Sequence, residues 1–486
     1  MKDIYSGANK HMFNLLNFTP IIATAVVSLG FTTDEVKPPK KNYNVLFIIC
    51  DDLNDVSVYN CPKVKTPNLD RLASRGIRFN RAYCQYPLSN PSRSSVLTGL
   101  RPDETKVLGN GIGFREINPD LITLPQLFMQ NGYYSAAVGK IFHYNVPAVA
   151  VNLRGFEDPA SWNYSLNPVG RDVFEYDLVR NFTRERYNIS LNGLGNSLAY
   201  LADDGIDDEQ TDGIVASEAI KIMKQNKDKP FFLAVGFWRP HTPYIAPKKY
   251  FDMYPLDEIT LPVPKKNLDD LPNDAITTRP TNFGLTDDHV KEIIRAYSAT
   301  VSFVDAQIGK VLDALDQMGL SDNTIIVFMS DNGVSFSEHG QFFKSSLFEI
   351  VNRTPLIISV PDGLLSKESD RIVELVDIYP TLTDLCNLKM PLTQHLSGTS
   401  LKPLLANPNA KWDRAAYSQV SRGKTMGRSV RTERWRYNEW DEGRAGTELY
   451  DEVNDKGELI NLAKNPEYAE IVKELSLLLR KSYSQN

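Results

Sequence analysis

The chain has 486 residues, of which 42% are hydrophobic and 23% are charged. This composition is typical of a globular protein that is long enough for one large domain and a smaller one. The net charge of −6 and the lack of a basic run argue against a nucleic-acid-binding protein, which needs clustered Lys and Arg to contact phosphates. An anionic substrate therefore has to be met by local positive charge.

The first predicted element is a mostly apolar stretch over residues 12–31, which follows Lys2 and Lys10. Small residues within it and polar residues after it predict a cleavable signal peptide over residues 1–34. A membrane anchor is the alternative, but two Asn and one Pro interrupt the stretch. We therefore expect an exported protein, periplasmic or secreted, with no stable membrane insertion after the signal is cleaved.

Apolar runs of strand length then alternate with helical patterns. The runs cover residues 45–49, 135–138, 231–235, 324–329 and 356–360, and the longest helical pattern covers 290–315. This alternation predicts an α/β fold in which helices flank a large, mostly parallel sheet. Short strands and Arg-rich turns beyond about Pro391 predict a smaller α+β domain, so the expected domains are residues 42–390 and 391–486.

Polar side chains follow two of the apolar runs at the point where each strand ends. Asp51 and Asp52 come directly after the first run, and Asp331 and Asn332 follow the fourth. Ligands of such sheets bind beyond the carboxyl ends of the strands, so we expect these four residues at one edge. A single Asp-Asp pair is more often a cap than a ligand, but two pairs of hard oxygen donors favour Ca²⁺ or Mg²⁺ over zinc.

The run Ser89-Asn90-Pro91-Ser92-Arg93, continuing to Gly99, is the most specific motif of the chain. Read locally, it is a loop that enters a helix, because Ser and Asn cap helices and Pro fits the first turn. It also resembles the activation signature of the type I sulfatases.

The resemblance to this family extends from Asn44 to about Ala463 and is closest to the iduronate-2-sulfatase-like branch. The stretches that carry it, besides the Ser89 run, are Cys50-Asp51-Asp52-Leu53-Asn54, Thr66-Pro67-Asn68-Leu69-Asp70-Arg71-Leu72-Ala73, Val138-Gly139-Lys140-Ile141-Phe142-His143, Phe232-Leu233-Ala234-Val235-Gly236 with Pro240-His241-Thr242-Pro243, Ser330-Asp331-Asn332-Gly333, Glu338-His339-Gly340 with Lys344, Glu448-Leu449-Tyr450-Asp451 and Asn461-Leu462-Ala463.

The resemblance implies an alkaline-phosphatase-like fold and a hydrolase of sulfate esters. It implies that Ser89 is oxidised after translation to formylglycine, whose hydrated aldehyde attacks sulfur. It also implies one Ca²⁺ ion, held by residue 89 together with Asp51, Asp52, Asp331 and Asn332.

The family's catalytic roles carry over to further positions of this chain. Arg93 and Lys140 are expected to be charge partners of the hydrate and the sulfate, and His241 or Lys344 to protonate the departing sugar oxygen. His143 is expected to take a proton from the second hydroxyl, after which aldehyde and inorganic sulfate are released. His339 is expected either to position Lys344 or to touch the substrate.

Two departures from the human-type enzymes matter. Ser89 replaces Cys, which implies maturation by the radical-SAM sulfatase-maturating enzyme of bacteria as a transient partner. Asn332 stands where the human-type iduronate sulfatases have His, and an amide oxygen suits Ca²⁺. Loops expected to shape the sugar pocket, at residues 109–116, 146–187 and 419–428, also differ.

The expected substrate is a sulfated polysaccharide or its oligosaccharides, either from an algal polysaccharide such as ulvan or a glycosaminoglycan uronic acid 2-sulfate. Arg239, Arg422, Lys424 and Arg428 are candidate contacts for a second anionic group of this substrate. Two alternatives stay open. One is a phosphate mono- or diesterase of the alkaline phosphatase superfamily, although the ligands for a second metal are missing. The other is a non-catalytic protein that binds sulfated glycans because Ser89 stays unconverted.

Overall fold

The structure, a computed structural model, describes residues 42–54, 57–59, 61, 63–144, 157–183, 195–265, 267–391 and 394–483. The predicted signal peptide at residues 1–34 lies outside these residues. Within the described ranges, no helix is both long enough and apolar enough to cross a membrane.

The described chain contains both strands and α-helices. The strands are β1 (Asn44–Cys50), β2 (Ile77–Tyr83), β3 (Tyr134–Gly139), β4 (Tyr164–Leu166), β5 (Arg180–Asn181), β6 (Ala199–Asp203), β7 (Phe231–Gly236), β8 (Tyr244–Pro247), β9 (Thr324–Ser330), β10 (Ser335–Phe336), β11 (Phe342–Phe343), β12 (Arg353–Ser359), β13 (Lys367–Glu374), β14 (Ala416–Arg422), β15 (Thr425–Arg431), β16 (Trp435–Trp440) and β17 (Gly446–Asp451). The helices are α1 (Pro67–Ser74), α2 (Ser89–Thr98), α3 (Pro102–Thr105), α4 (Phe114–Ile117), α5 (Leu124–Gln130), α6 (Arg171–Phe174), α7 (Thr211–Asn226), α8 (Lys248–Phe251), α9 (Asp287–Gln317), α10 (Glu349–Asn352), α11 (Ile378–Leu385), α12 (Lys402–Ala406) and α13 (Ala469–Tyr483).

The main sheet has eight strands in the order β13-β2-β12-β9-β1-β7-β3-β4. Its centre is parallel, because β1 pairs in parallel with both β9 and β7, and β7 pairs in parallel with β3. The carboxyl ends of these four strands therefore meet at one edge. Strand β12 runs antiparallel to both of its neighbours, β9 and β2.

The sheet is covered on both faces, which explains why its central strands are continuously apolar. Successive side chains of β1 point to opposite faces. Leu46 and Ile48 belong to one buried hydrophobic cluster, whereas Val45, Phe47 and Ile49 belong to another. The predicted α/β fold with helices on both sides of a large sheet is thus confirmed.

The last strands, β14 to β17, form a separate four-stranded antiparallel sheet in sequence order. Helix α13 packs on it through Leu475 and Leu479, which join Val430, Tyr437 and Leu449 in one buried cluster. This is the smaller C-terminal α+β unit that the sequence predicts. The proposed boundary between residues 390 and 391 stays a prediction.

Candidate active site

Four parallel strands deliver the predicted site residues to one edge of the main sheet. Cys50 of β1 pairs with Ser330 of β9, so Asp51 and Asp331, which come next, leave the sheet side by side. On the other side of β1, the strand β7 leads to His241, and its neighbour β3 leads to Lys140. The grouping thus follows from strand order and register.

Three carboxylates form the centre of this edge. One oxygen from each of Asp51, Asp52 and Asp331 lies within 4.8 Å of the others, and all three residues are buried. The backbone N–H of Asp52 donates to the Asp331 carboxylate at 3.1 Å, and the Asn332 side-chain amide donates to the Asp52 carboxylate at 2.7 Å. Asp52 adopts a left-handed backbone conformation with φ of 62°. These bonds hold the acidic residues together despite their mutual repulsion.

Ser89 is the first residue of α2, a helix that is buried along its whole length. Its hydroxyl donates to Asp51 Oδ1 at 3.1 Å and accepts from Lys344 Nζ at 3.2 Å. A helix N-terminus attracts negative charge, because its first N–H groups have no partner within the helix. Residue 89 is therefore placed where an anion is stabilised.

Arg93 lies one turn further along α2, on the same face as Ser89. Its Nε donates to Asp331 at 2.8 Å, and one of its terminal nitrogens lies 3.3 Å from Asp51. Its other terminal nitrogen donates to the carbonyl oxygen of Lys140. The guanidinium is 1% exposed, so it is a fixed cation that joins the helix to the ends of three strands, β1, β3 and β9.

Two lysines complete the positive charge of the site. Lys140 pairs with Asp51, and its ammonium lies 5.1 Å from the ring centroid of Trp238. Lys344 pairs with Asp52 at 2.6 Å. Burial lowers the pKa of Lys140. Burial also disfavours charge on Lys344, but the nearby carboxylates, Asp52 first, raise its pKa on balance.

The two predicted catalytic histidines are both buried. His241 Nδ1 donates to the carbonyl oxygen of Thr242 at 2.6 Å, which leaves Nε2 as the acceptor nitrogen, 3.6 Å from Asp52. Burial lowers the pKa of His241 to about 3, so this imidazole is neutral. His143 lies in the segment that follows β3, three residues beyond Lys140.

The pKa values of the three carboxyl groups shift in different directions in this environment. Burial raises the pKa of Asp52 and of Asp331, and the charge of Asp51 adds to this effect. Burial acts on Asp51 in the same direction, but the surrounding lysine, histidine and arginine side chains outweigh it and hold its pKa well below the usual range. Concentrated negative charge of this kind is stabilised by a cation.

A divalent ion that prefers oxygen fits these residues. The side-chain oxygen of Asn332 is buried and has no hydrogen-bond partner among the described residues. A buried amide oxygen needs a partner, and a metal ion can supply one. Carboxylate and amide oxygens are the ligands of Ca²⁺ and Mg²⁺, whereas a zinc site would need Cys or His. The structure therefore brings together the residues that the sequence predicts as metal ligands, and the bound ion stays a prediction.

The structure places the four candidate substrate contacts in different surroundings. Arg239 is buried, pairs with Asp172 at 2.7 Å and donates to the carbonyl oxygens of His241 and Pro243 at 3.1 and 2.6 Å. It therefore holds the backbone around His241, and its contact with substrate stays a prediction. Its position in the sequence, two residues before His241, did not indicate that its side chain would be buried.

The other three candidates lie in the C-terminal hairpin β14–β15. Arg428 pairs with Asp103 at 3.2 Å, and its guanidinium lies over the ring of Tyr483. Arg422 donates to the carbonyl oxygen of Ser345, next to Lys344, and therefore supports that loop. Lys424 is exposed in the turn of the hairpin. Sequence reasoning also missed Trp238, which lies beside Lys140.

Comparison with known proteins supplies the family. Residues 43–388 match the family described as Sulfatase, and residues 337–485 match the one described as N-sulphoglucosamine sulphohydrolase, C-terminal. The chain belongs to the sulfatase family. This sulfatase is a sulfuric ester hydrolase, as the sequence predicts.

Individual relatives span nearly the whole sulfatase. It is 34% identical over 475 residues to a sulfatase of Formosa agariphila, a match that covers 94% of this chain and 90% of the relative. It is 30% identical over 478 residues to iduronate 2-sulfatase of Mus musculus, with 82% and 84% covered. A solved structure, the phosphonate monoester hydrolase of Agrobacterium radiobacter, matches with a TM-score of 0.74 at 24% identity and covers 91% of this chain and 96% of that chain. This last likeness shows the alkaline-phosphatase-like fold alone.

Proposed function

We propose that this sulfatase hydrolyses sulfate esters of sulfated oligosaccharides through a formylglycine made from Ser89, with one Ca²⁺ ion in the site. The observation that carries the proposal is the position of Ser89, between Asp51 and Lys344 at the N-terminus of a buried helix. The formylglycine supplies a hydrated aldehyde, one hydroxyl of which attacks sulfur. That hydroxyl needs a nearby group that accepts its proton and nearby positive charge that stabilises the resulting anion. Both are present among the residues around Ser89.

The proposed ion has five ligands: Asp51, Asp52, residue 89, Asp331 and Asn332. A bound Ca²⁺ ion supplies a Lewis acid that polarises the sulfate and favours the ionised hydroxyl. The three carboxylates balance the three cationic side chains described above, so a divalent ion leaves a surplus of two positive charges. That surplus suits a sulfate ester and an ionised hydroxyl, each with one negative charge.

Each remaining residue has a proposed task. Arg93 and Lys140 hold the negative charge of the hydrate and the sulfate. The departing sugar oxygen takes one proton, either from Lys344, which carries one, or from His241. His241 is neutral with Nε2 unprotonated, so it would first take up the proton that the attacking hydroxyl releases. His143 takes the proton of the second hydroxyl, so that the bound sulfate leaves and the aldehyde is restored.

The substrate class rests on similarity. The mouse relative is an iduronate 2-sulfatase, which supports a sulfated acidic sugar. We propose a glycosaminoglycan uronic acid 2-sulfate or a fragment of an algal polysaccharide such as ulvan. We further propose that Ser89 is converted by a radical-SAM maturating enzyme of the host and that the chain is exported to the periplasm.

Mass analysis of the peptide that contains residue 89 tests the nucleophile. Conversion of Ser to formylglycine removes two hydrogens, and co-expression with a maturating enzyme should increase the converted fraction. Ser89→Ala should abolish sulfate release and leave the fold intact. Ser95→Ala is the matched control, because Ser95 is equally buried in α2 and its hydroxyl has no hydrogen-bond partner among the described residues. Full activity of Ser89→Ala would refute the proposal.

A substrate panel tests the proposed substrate class and the two alternative functions. It contains glycosaminoglycan disaccharides, ulvan and carrageenan oligomers, nitrophenyl sulfate and a nitrophenyl phosphodiester. We expect sulfate release to be fastest from one of the sugars. Preference for nitrophenyl sulfate over every sugar would refute the substrate class, and preference for the phosphodiester would favour the phosphoesterase alternative. Protein from its own host that binds sulfated sugars without turnover and keeps Ser89 unmodified would favour the glycan-binding alternative.

A further inference from the structure

The loop that carries Lys344, residues 337–346, has an unusual backbone, and we call it the lysine loop. Ser337, His339, Phe343 and Ser345 all adopt left-handed conformations, with φ of 84°, 52°, 68° and 65°. Residues other than glycine seldom adopt this region, and such conformations persist only where the surroundings impose them. The two left-handed residues on either side of Lys344 fix the direction in which its side chain leaves the loop.

His339 joins the lysine loop to the C-terminal part of the chain. Its ring stacks on Phe348, with ring centroids 3.9 Å apart and an interplanar angle of 8°. Its Nε2 donates to the backbone carbonyl oxygen of Glu458 at 3.1 Å. Burial lowers the pKa of His339 to about 4, which agrees with a neutral ring whose proton is on Nε2. His339 is 3% exposed, and both its ring face, on Phe348, and its Nε2, bonded to Glu458, are engaged by the protein itself.

Glu458 is a firm anchor for this hydrogen bond. It is 1% exposed, and its carboxylate accepts the backbone N–H of Glu349 at 2.7 Å and pairs with Arg436 at 2.8 Å. Arg436 belongs to β16, in the C-terminal sheet, and is itself 1% exposed. Glu349 begins the short helix α10, immediately after Phe348. The C-terminal part of the chain therefore holds the lysine loop at His339 and, just beyond the loop, the start of α10 at Glu349.

We propose that His339 is a positioning residue, which transmits the fixed position of Glu458 to the lysine loop and so keeps the ammonium of Lys344 on Asp52 and residue 89. The inference rests on the proposed function, since it takes Lys344 to be a catalytic group. It separates the two roles that the sequence leaves open for His339, positioning and substrate contact. We choose positioning because Phe348 covers the ring of His339 and Glu458 accepts its hydrogen bond.

His339→Phe tests the proposal in the full-length, converted enzyme, with the fastest sugar of the substrate panel as the probe, because a sugar leaving group needs the proton that Lys344 is proposed to deliver. The substitution keeps an aromatic ring against Phe348 but removes the donor to Glu458. We expect kcat to fall about tenfold or more, because small displacements of a catalytic group cost that much, with KM changed less. His395→Phe is the control, since His395 is exposed and bonds to Glu104 instead of the lysine loop. Its kinetics should match the wild type.

A double-mutant cycle with Lys344→Ala distinguishes positioning from a general loss of structure. If His339 acts through Lys344, then His339→Phe has no further effect on kcat once Lys344 is absent. Equal, additive losses in both backgrounds would overturn the proposal. If Lys344→Ala alone leaves kcat unchanged, the catalytic role of Lys344 fails, which is a separate result from the behaviour of His339.

Hydrogen exchange gives a readout that does not need activity. In His339→Phe the amides of residues 337–346 should exchange faster than in the wild type, whereas those of β1 should be unchanged. Unchanged exchange in the lysine loop would overturn the proposal even if activity fell. Faster exchange throughout the protein would also overturn it, because the effect would then be general destabilisation.

Discussion

Asp331→Asn is the substitution that tests the proposed calcium site most directly. The Asp331 carboxylate accepts N–H groups of Asp52 at 3.1 Å and Asn332 at 3.0 Å, and it pairs with Nε of Arg93 at 2.8 Å. An amide cannot accept all three bonds, because its nitrogen is a donor. The unmade bond costs about 1–3 kcal/mol, whether or not calcium is present.

A second, separate effect appears only with calcium. An ion that binds only the native state stabilises it by about 2.7 kcal/mol when its concentration is about 100 times Kd. Loss of a carboxylate from the ligand set weakens binding, so Asp331→Asn should lose most of this gain. The assay is thermal unfolding of EDTA-treated protein during a calcium titration, together with elemental analysis of bound metal.

Asp305→Asn is the matched control for this experiment. Asp305 is also buried, and its carboxylate accepts backbone N–H groups of Leu69 at 2.8 Å and Asn68 at 3.1 Å, outside the site. Its effect on stability should be the same with calcium and with EDTA. A full calcium-dependent gain in Asp331→Asn would refute the ligand assignment. Two tightly bound zinc ions per chain would support the phosphatase alternative.

Three further predictions address residues around the site and in the core. Arg239→Lys should lower kcat/KM about tenfold at unchanged metal content, because one ammonium cannot replace the guanidinium that holds the His241 backbone; wild-type kinetics would contradict this. Arg436→Met should lower the free energy of unfolding by about 3–5 kcal/mol in a denaturant titration, since it strands buried carboxylates, and a loss below about 1 kcal/mol would refute that reasoning. Burial raises the pKa of Asp305 to about 6, above the value of about 3.9 in an unfolded chain. The stability this carboxyl contributes is therefore complete below about pH 4 and is lost as the pH rises to about 6, and Asp305→Asn should flatten that part of the stability curve. A curve of stability against pH that Asp305→Asn leaves unaltered would count against this prediction.

The sequence alone predicts the central strands and the grouping of the candidate metal ligands. Strand β1 is a continuous apolar run, so its burial on both faces follows from local composition. Asp51 and Asp331 follow neighbouring parallel strands, and parallel strands bring their carboxyl ends to the same edge. The Ser89 run, in turn, is a contiguous motif whose residues lie on one helix. In each case the residues are either close together in the sequence or follow neighbouring strands of the same sheet.

The direction of β12 was not predictable in this way. The sequence suggests a mostly parallel sheet, but β12 runs antiparallel between β9 and β2. A parallel return needs a crossover, which is usually a helix of a dozen residues or more with its loops. Between β9 and β12 the chain instead forms the lysine loop and the four-residue helix α10. That path turns the strand back in the opposite direction.

The tertiary structure also decides which cations face the site. Arg239 and Lys344 each lie near a motif His, yet one is buried among backbone carbonyls and the other reaches Ser89 across 255 residues of sequence. His339 likewise meets its partner Glu458 across 119 residues. Such contacts depend on the path of the whole chain and on left-handed turns that no local pattern specifies. Residue type and spacing therefore determine the chemistry available to this protein, and only packing determines which side chains are free to perform it.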